Sequence, residues 1–289
     1  MATNAPEVAD AEILRDWLAR KRSVIDQLLG DRLAARAPGD DPGRLVESMR
    51  YSLLAPGKRL RPLMALAAAE ATGIVVDDEA IRIAAAAVEL VHCYSLVHDD
   101  LPAMDDDDFR RGRPSNHKAF GEATAILAGD ALLTLAFEWL ADAGQLGSRP
   151  EALGRATLAL ARGAGMMVRG QARDLGEAAP SSLAALEVLH GEKTAALFRA
   201  AVEVGAAAAG ASPDDIATVG RFGFQYGIAF QHADDLDDGD HAAHASAAKD
   251  RLRGLVADAL ATLDTLPLSR PDRSAAVLRG LAAALLPDA

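Results

Sequence analysis

The chain has 289 residues with 42 Asp or Glu against 30 Lys or Arg, a formal net charge of −12, which argues against a nucleic-acid partner because phosphate binding needs a basic face. Alanine and leucine dominate, aromatic residues are only 4%, and β-branched residues are sparse, a profile for helices packed closely on small side chains. The single cysteine, Cys93, lies in an apolar segment; it excludes a disulfide framework and a cysteine-rich metal site and reads as core. No Pro/Gly/Ser-rich linker divides the chain, so residues 1–289 are expected to form a single domain. The acidic N-terminal stretch lacks the regions of a signal peptide, and no uncharged apolar run approaches about 18 residues. A cytoplasmic protein with no membrane span is the expectation.

Residues 11–29 place Ile13, Leu14, Trp17, Leu18, Ile25, Leu28 and Leu29 at helical spacing, which predicts an amphipathic first helix. A second helix carries Leu45, Val46, Met49, Leu53 and Leu54 and stops at Ala55-Pro56-Gly57. Lys58, Arg59 and Arg61 then sit just before Pro62, at the start of a helix. Cations are unfavourable at that end unless an anion joins them, and the free N–H groups there can help bind one. Local grounds alone do not separate an anion site from surface basics beside a turn. The next helix, over 64–72, ends at Gly73, and another starts near Asp77 or Asp78, with Glu89, His92 and Tyr94 as its few polar positions.

That helix runs into HDDLPAMDDDDFRRG, in which six of the ten residues from Asp99 to Asp108 are aspartate. Carboxylates at a helix C-terminus face the negative end of the macrodipole and repel one another, so something cationic must offset them. Pro102 disfavours helix at Leu101, and an irregular turn must bring the later aspartates back. Long helices are predicted over 121–142, with Asp130 as an inner acid, and over 150–175, where Gln171 and Asp174 stand out on a glycine-rich segment; a satisfied buried amide is the default for Gln171. Pro180 and Ser181 open a helix pair in which Gly191 predicts a kink just before Lys193 and Thr194. Ser212-Pro213-Asp214-Asp215 is a strong helix start, leading to a second acidic cluster where Asp234 and Asp238 share a face with Asp235 beside them. His241 and His244 read as solvated loop residues, helices over 247–265 and 275–286 close the chain, and no strand signal is present. Two Asp pairs at the ends of apolar helices, about 135 residues apart, are read as two walls of one site for hard divalent cations, Mg2+ above all.

With these blocks in order, the sequence resembles the trans-isoprenyl diphosphate synthases, or polyprenyl synthetases, and among them the bacterial farnesyl diphosphate synthases. Gly57-Lys58-Arg59-Leu60-Arg61-Pro62 is similar to the family's GKRxRP block. Residues 99–112 resemble its first aspartate-rich motif in expanded DDxxxxD form, followed by RRG. Lys193-Thr194 matches the KT block, and Phe230-Gln231 with Asp234 to Asp238 matches FQxxDDxxD. The resemblance covers roughly residues 40–240. It implies an all-α isoprenoid-synthase-type bundle around a central active-site cavity, usually a homodimer, with three Mg2+ between the two acidic motifs. By position Asp99, Asp100 and Asp105 would be first-wall ligands, with Asp234 on the second wall and Asp235 and Asp238 supporting it. Gly57, Lys58, Arg61, His92 and Arg111 would hold isopentenyl diphosphate. Arg110 and Lys193 would grip the allylic diphosphate, with Thr194, Gln171 and Gln231 polar near the reacting carbons.

The implied chemistry is ionisation of an allylic diphosphate, attack by the double bond of isopentenyl diphosphate, and proton loss to the departing diphosphate, driven by positioning and electrostatics. Tyr94, with small Ser95 beside it, would set the cavity floor; in the family this pattern with the expanded motif implies a C15 product, C20 being the alternative. A core tyrosine with a satisfied hydroxyl is the plain reading of Tyr94. The chain departs from the family after the second motif, where the GK and KxTY elements and the basic C-terminal tail are missing; Lys249 is the one candidate replacement lysine. A non-catalytic partner subunit and a class I terpene cyclase are the rival readings. The intact acids count against the first and the GKRLRP block against the second.

Overall fold

In a computed structural model of the chain, residues 5–35, 39–72, 79–146, 150–176, 180, 182–239, 245–266 and 274–286 are described. Helices make up nearly all of them: α1 Ala5–Ala34, α2 Leu45–Leu53, α3 Leu60–Ala71, α4 Glu79–Asp99, α5 Asn116–Phe120, α6 Glu122–Leu146, α7 Pro150–Gly176, α8 Leu183–His190, α9 Ala196–Ala208, α10 Pro213–Asp238, α11 Ala245–Asp264 and α12 Ser274–Ala283. The all-α expectation holds, with one correction. Two short strands, β1 Phe109–Arg110 and β2 Arg113–Pro114, pair antiparallel with Arg110 opposite Arg113. Two residues per strand leave no alternation to read in the sequence, and the hairpin exists because Arg111 and Gly112 take the positive φ angles, 53° and 75°, of its turn.

One apolar cluster runs from Trp17 to Ala282. Helix α9 lies at its centre, packed against α3, α4, α7 and α10, while α4 packs on α6 and α10 on α11. The small-residue composition is what lets α9 sit there. A Cβ at Gly205 would lie 1.8 Å from the Ala65 carbonyl oxygen of α3, so only glycine allows that backbone approach. Gly205→Ala is therefore expected to cost about 2–3 kcal/mol by overpacking, read as a lower urea midpoint at an unchanged m-value.

Several boundaries moved from the sequence reading. Helix α1 extends beyond 11–29 at both ends, and α3 begins at Leu60 rather than Met64, with Arg59 at φ 53° just ahead of it. Ser182 caps α8, its hydroxyl accepting from the Ala185 N–H, and Ser212 caps α10 through the Asp215 N–H as expected. Gly73, Asp77, Asp78, Ser181, His241 and His244 lie outside the described residues.

By length and composition two helices, Glu79–Asp99 and Glu122–Gly144, could reach across a bilayer, where the sequence reading expected none. The first is 72% buried in the bundle and the second 44%. The apolar length of the first reflects core packing around alanine, and the count of uncharged runs missed both because Glu89 and Asp130 interrupt them.

Candidate active site

The first acidic wall is made by a helix end and a loop that doubles back on it. After the last turn of α4, the Leu101 N–H still donates to His98 O (3.1 Å), and Pro102 then breaks the helix. The Met104 N–H donates to Leu101 O at 2.9 Å and the Asp105 N–H to Asp99 O at 2.8 Å. Those bonds seat Asp105 over Asp99, as the expected irregular turn required. Burial pushes the Asp99 carboxyl up to about 6; Lys193 opposes that shift, while Asp105 adds to it. The remaining aspartates go elsewhere. Asp100 is buried and its Oδ1 accepts both Arg110 Nε (2.8 Å) and Arg110 NH2 (2.5 Å), and Asp107 Oδ2 takes the same NH2 at 2.7 Å. Asp108 pairs with Lys118 at 2.6 Å. Asp100, expected as a metal ligand, thus lies against a guanidinium, and Arg110 is neutralised by its own loop.

The second wall is carried by α10 and by the predicted kink, which is a π-helical turn over Gly191–Ala195. The wider turn aims successive polar groups at one another. Lys193 Nζ lies 2.5 Å from Asp174 Oδ2 of α7, and the Thr194 hydroxyl donates to Gln231 Oε1 at 3.0 Å. Gln231 Nε2 donates in turn to Asp235 Oδ1 at 2.8 Å. Helix α7 comes so near that a Cβ at Gly170 would meet the Lys193 nitrogen at 2.3 Å. Gln171, one residue on, is buried and donates to Asp105 Oδ1 at 3.1 Å, so it joins α7 to the first wall; its Oε1 has no partner, unlike the satisfied amide expected. Asp234 and Asp238 stand exposed on one face, and partial burial with repulsion from Asp238 raises the Asp234 carboxyl's pKa, Lys58 opposing. Asp235, expected as a supporting ligand, has other partners. It is buried, turned from that face, with Oδ1 on Gln231 and Oδ2 3.1 Å from His190 Nε2.

The GKRLRP block divides into structural and available cations. Arg59 points inward, Nε to Asp26 Oδ1 and NH1 to Glu89 Oε1, both at 2.8 Å, and NH2 to the Leu53 and Ala55 carbonyls at 2.9 Å. Arg61 stacks 4.4 Å over the Phe198 ring with its Nε unpartnered, and burial pushes its pKa down to about 10 despite Glu89. His92 is held well below its ordinary value by burial and by Arg61 and Arg111. Arg111 comes so close to Gly57 that a Cβ there would lie 2.8 Å from its NH1, which gives Gly57 a packing reason. Lys58, Arg61 and Arg111 have no ion-pair partner among the described residues. Arg61 and Arg111 lie close enough to His92 to help its burial hold it neutral, a grouping whose chemistry suits a phosphoryl anion, while the exposed Lys58 acts on Asp234.

Tyr94 is buried on α4, its ring edge-on to His98 at 5.8 Å, and its hydroxyl has no partner, contrary to the satisfied core tyrosine. Ser95 bonds back to the His92 carbonyl at 2.9 Å. Lys249 is exposed on α11, which follows α10 after only residues 239–244. Sequence reasoning missed His190, His232, Glu187 and Arg251, which are linked behind the second wall. The one signal was a histidine ending an apolar helix directly before the kink.

The chain is similar to several known proteins. The farnesyl diphosphate synthase of Geobacillus stearothermophilus is 44% identical over 229 residues, 78% of this chain and 75% of that protein. Geranylgeranyl pyrophosphate synthase 12 of Arabidopsis thaliana is 42% identical over 231 residues, 78% of this chain, and the match spans 62% of that plant protein's length. Among solved structures, an FPP/GFPP synthase from Zymomonas mobilis superposes with TM-score 0.84 at 37% identity, over 94% of this chain and 98% of that one. The pattern of the polyprenyl synthetase family matches residues 42–250, the stretch that holds both acidic walls and the free cations, and the chain belongs to that family.

Proposed function

We propose that the protein is a trans-prenyltransferase that joins isopentenyl diphosphate to dimethylallyl or geranyl diphosphate, releasing diphosphate and giving farnesyl diphosphate, C15. The observation that carries this reading is the pairing of two carboxylate walls with cations that no described acid neutralises, Arg61 and Arg111 beside His92 and Lys58 toward Asp234. A terpene cyclase has no use for the second anion site. A non-catalytic partner subunit has no use for either wall.

The donors at the walls fit Mg2+. They are carboxylate oxygens, and the raised pKa values of Asp99 and Asp234 mark sites short of positive charge. Asp99, Asp105, Asp234 and Asp238 would hold the ions, three by analogy with the family. Bound divalent cations neutralise diphosphate oxygens and so ease departure of the leaving group. Lys193, freed from Asp174, reaches the allylic diphosphate, with Arg110 in second place because Asp100 and Asp107 already hold it. Arg61, Arg111 and Lys58 orient isopentenyl diphosphate, with neutral His92 as a hydrogen-bonding partner. The Thr194–Gln231 pair aims fixed dipoles at the positive charge that develops on the allyl group. The apolar core around them keeps water from capturing it.

Tyr94 supports the C15 reading. It lies five residues, about 7.5 Å of helix, below Asp99, close enough that the Asp99 charge helps raise its phenol to about 12 after burial. Incubating the protein with Mg2+, labelled isopentenyl diphosphate and separate C5 and C10 starters, then resolving the products, tests the whole proposal. C15 is expected from the unaltered chain, and a shift to C20 or longer from Tyr94→Ala. C20 from the unaltered chain would overturn the floor assignment and favour the geranylgeranyl reading, which the 42% identity to a plant geranylgeranyl synthase supports.

We propose further that the single domain works as a homodimer. Ile126 and Leu127 are 45% and 57% exposed on α6, beside a groove of about 510 Å³ lined by Leu33, Leu45, Val46 and Met49. Sedimentation at micromolar concentration should give twice the chain mass.

A further inference from the structure

Behind the second wall, three buried side chains form a cluster that the prenyl-transfer chemistry leaves unused. His190 ends α8, and His232 and Asp235 are three residues apart on α10. They are 4%, 0% and 8% exposed. One ligand atom from each lies within 4.8 Å of the other two. The imidazole rings meet edge to face with centroids 5.0 Å apart, and Nδ1 of both histidines has no hydrogen-bond partner. Two buried imidazoles with unpartnered nitrogens are costly for a fold that gains nothing from them.

We propose that His190, His232 and Asp235 form a cation site separate from the magnesium walls, one that takes a borderline transition ion such as Zn2+. Two ring nitrogens and one carboxylate oxygen are a donor set that Zn2+ favours and Mg2+, which prefers oxygen, does not. The outer groups are in place as well. Glu187 Oε1 accepts from His232 Nε2 at 3.3 Å and is itself held by Arg251 Nε at 2.7 Å, while Gln231 Nε2 holds Asp235 Oδ1. Carboxylate and amide partners of this kind fix the orientation of metal ligands. Zn–N bonds of about 2.0–2.1 Å bring tetrahedral ligand atoms to ~3.3 Å, a contraction that side-chain torsions on α8 and α10 can supply. An ion there ties the end of α8 to α10 directly beside the turn that carries Lys193 and Thr194. It stiffens the second wall without touching a diphosphate.

The test uses Co2+ as the probe on the full chain, stripped by chelation and kept in excess Mg2+. One equivalent of Co2+ should bind with the intense visible absorption of a tetrahedral centre, and Asp99→Asn and Asp234→Asn should leave that spectrum intact. His190→Gln and His232→Gln should abolish it, and Glu187→Gln should weaken Co2+ binding by about 10–100-fold. Only the faint absorption of octahedral Co2+, or a tetrahedral spectrum that survives both histidine changes, would overturn the site. Should the histidine variants fail to fold, X-ray absorption at the zinc edge of the unaltered protein decides. Imidazole scattering from two ligands supports the proposal, and an oxygen-only shell rejects it.

Discussion

Asp99→Asn is expected to lower kcat for prenyl transfer by about 10³-fold, the scale seen when a single preorganised charge-stabilising group is removed from a site, while raising the thermal stability of the metal-free protein. The two effects have one cause. Asp99 is ionised in a partly buried place where Asp105 and Asp100 repel it, and its carboxyl is pushed up to about 6 from 3.8. The folded chain therefore holds that proton more tightly than the unfolded one. Its contribution to stability is fullest below about pH 4 and is lost as pH rises through 6. A permanently neutral Asn avoids the loss, worth on the order of 1–2 kcal/mol at pH 7 after allowance for partial exposure. By the same sign, divalent-ion affinity should fall as pH drops below 6, because the ligand must first lose its proton. Calorimetry of the variant with and without Mg2+ separates the effects. A lower Tm without metal, or near-normal turnover, would remove Asp99 from the centre of the site.

Arg59→Met is the largest expected stability change, about 3–5 kcal/mol, because it leaves Glu89 buried without its guanidinium partner. Both side chains are 3% exposed and lie 2.8 Å apart. Removing the charge from both sides, in Arg59→Met with Glu89→Leu, should recover most of the loss, since the pair's desolvation offsets much of its attraction. Urea titration of the single and double variants measures the coupling. A single variant that loses under 1 kcal/mol would contradict a buried pair. Function should suffer even in folded Arg59→Met, because Arg59 anchors the segment that carries Lys58 and Arg61 through the Leu53 and Ala55 carbonyls. The expected reading is a raised KM for isopentenyl diphosphate with little change in kcat.

The sequence by itself determined the helical class, the two acid-bearing helix ends, the kink at Gly191 and the capped start at Ser212, because each depends on local chemistry: periodicity, like-charge repulsion, a glycine interruption, a hydroxyl cap. It also picked out Asp99, Asp105, Asp234 and Lys193 as candidates for one site. Only the tertiary structure decided which aspartate pairs with which cation. Asp100 and Asp107 go to Arg110 and Asp108 to Lys118, a sorting set by a two-residue hairpin too short to leave a pattern. Within KRLR, Arg59 and Arg61 carry the same side chain, yet the first is buried against Glu89 and the second stands free over Phe198. Asp235 turned from the face of Asp234 and Asp238 to His190 for the same reason. Adjacent helical residues point about 100° apart, so which of two neighbours meets a partner depends on what packs against the helix, and that partner comes from distant sequence.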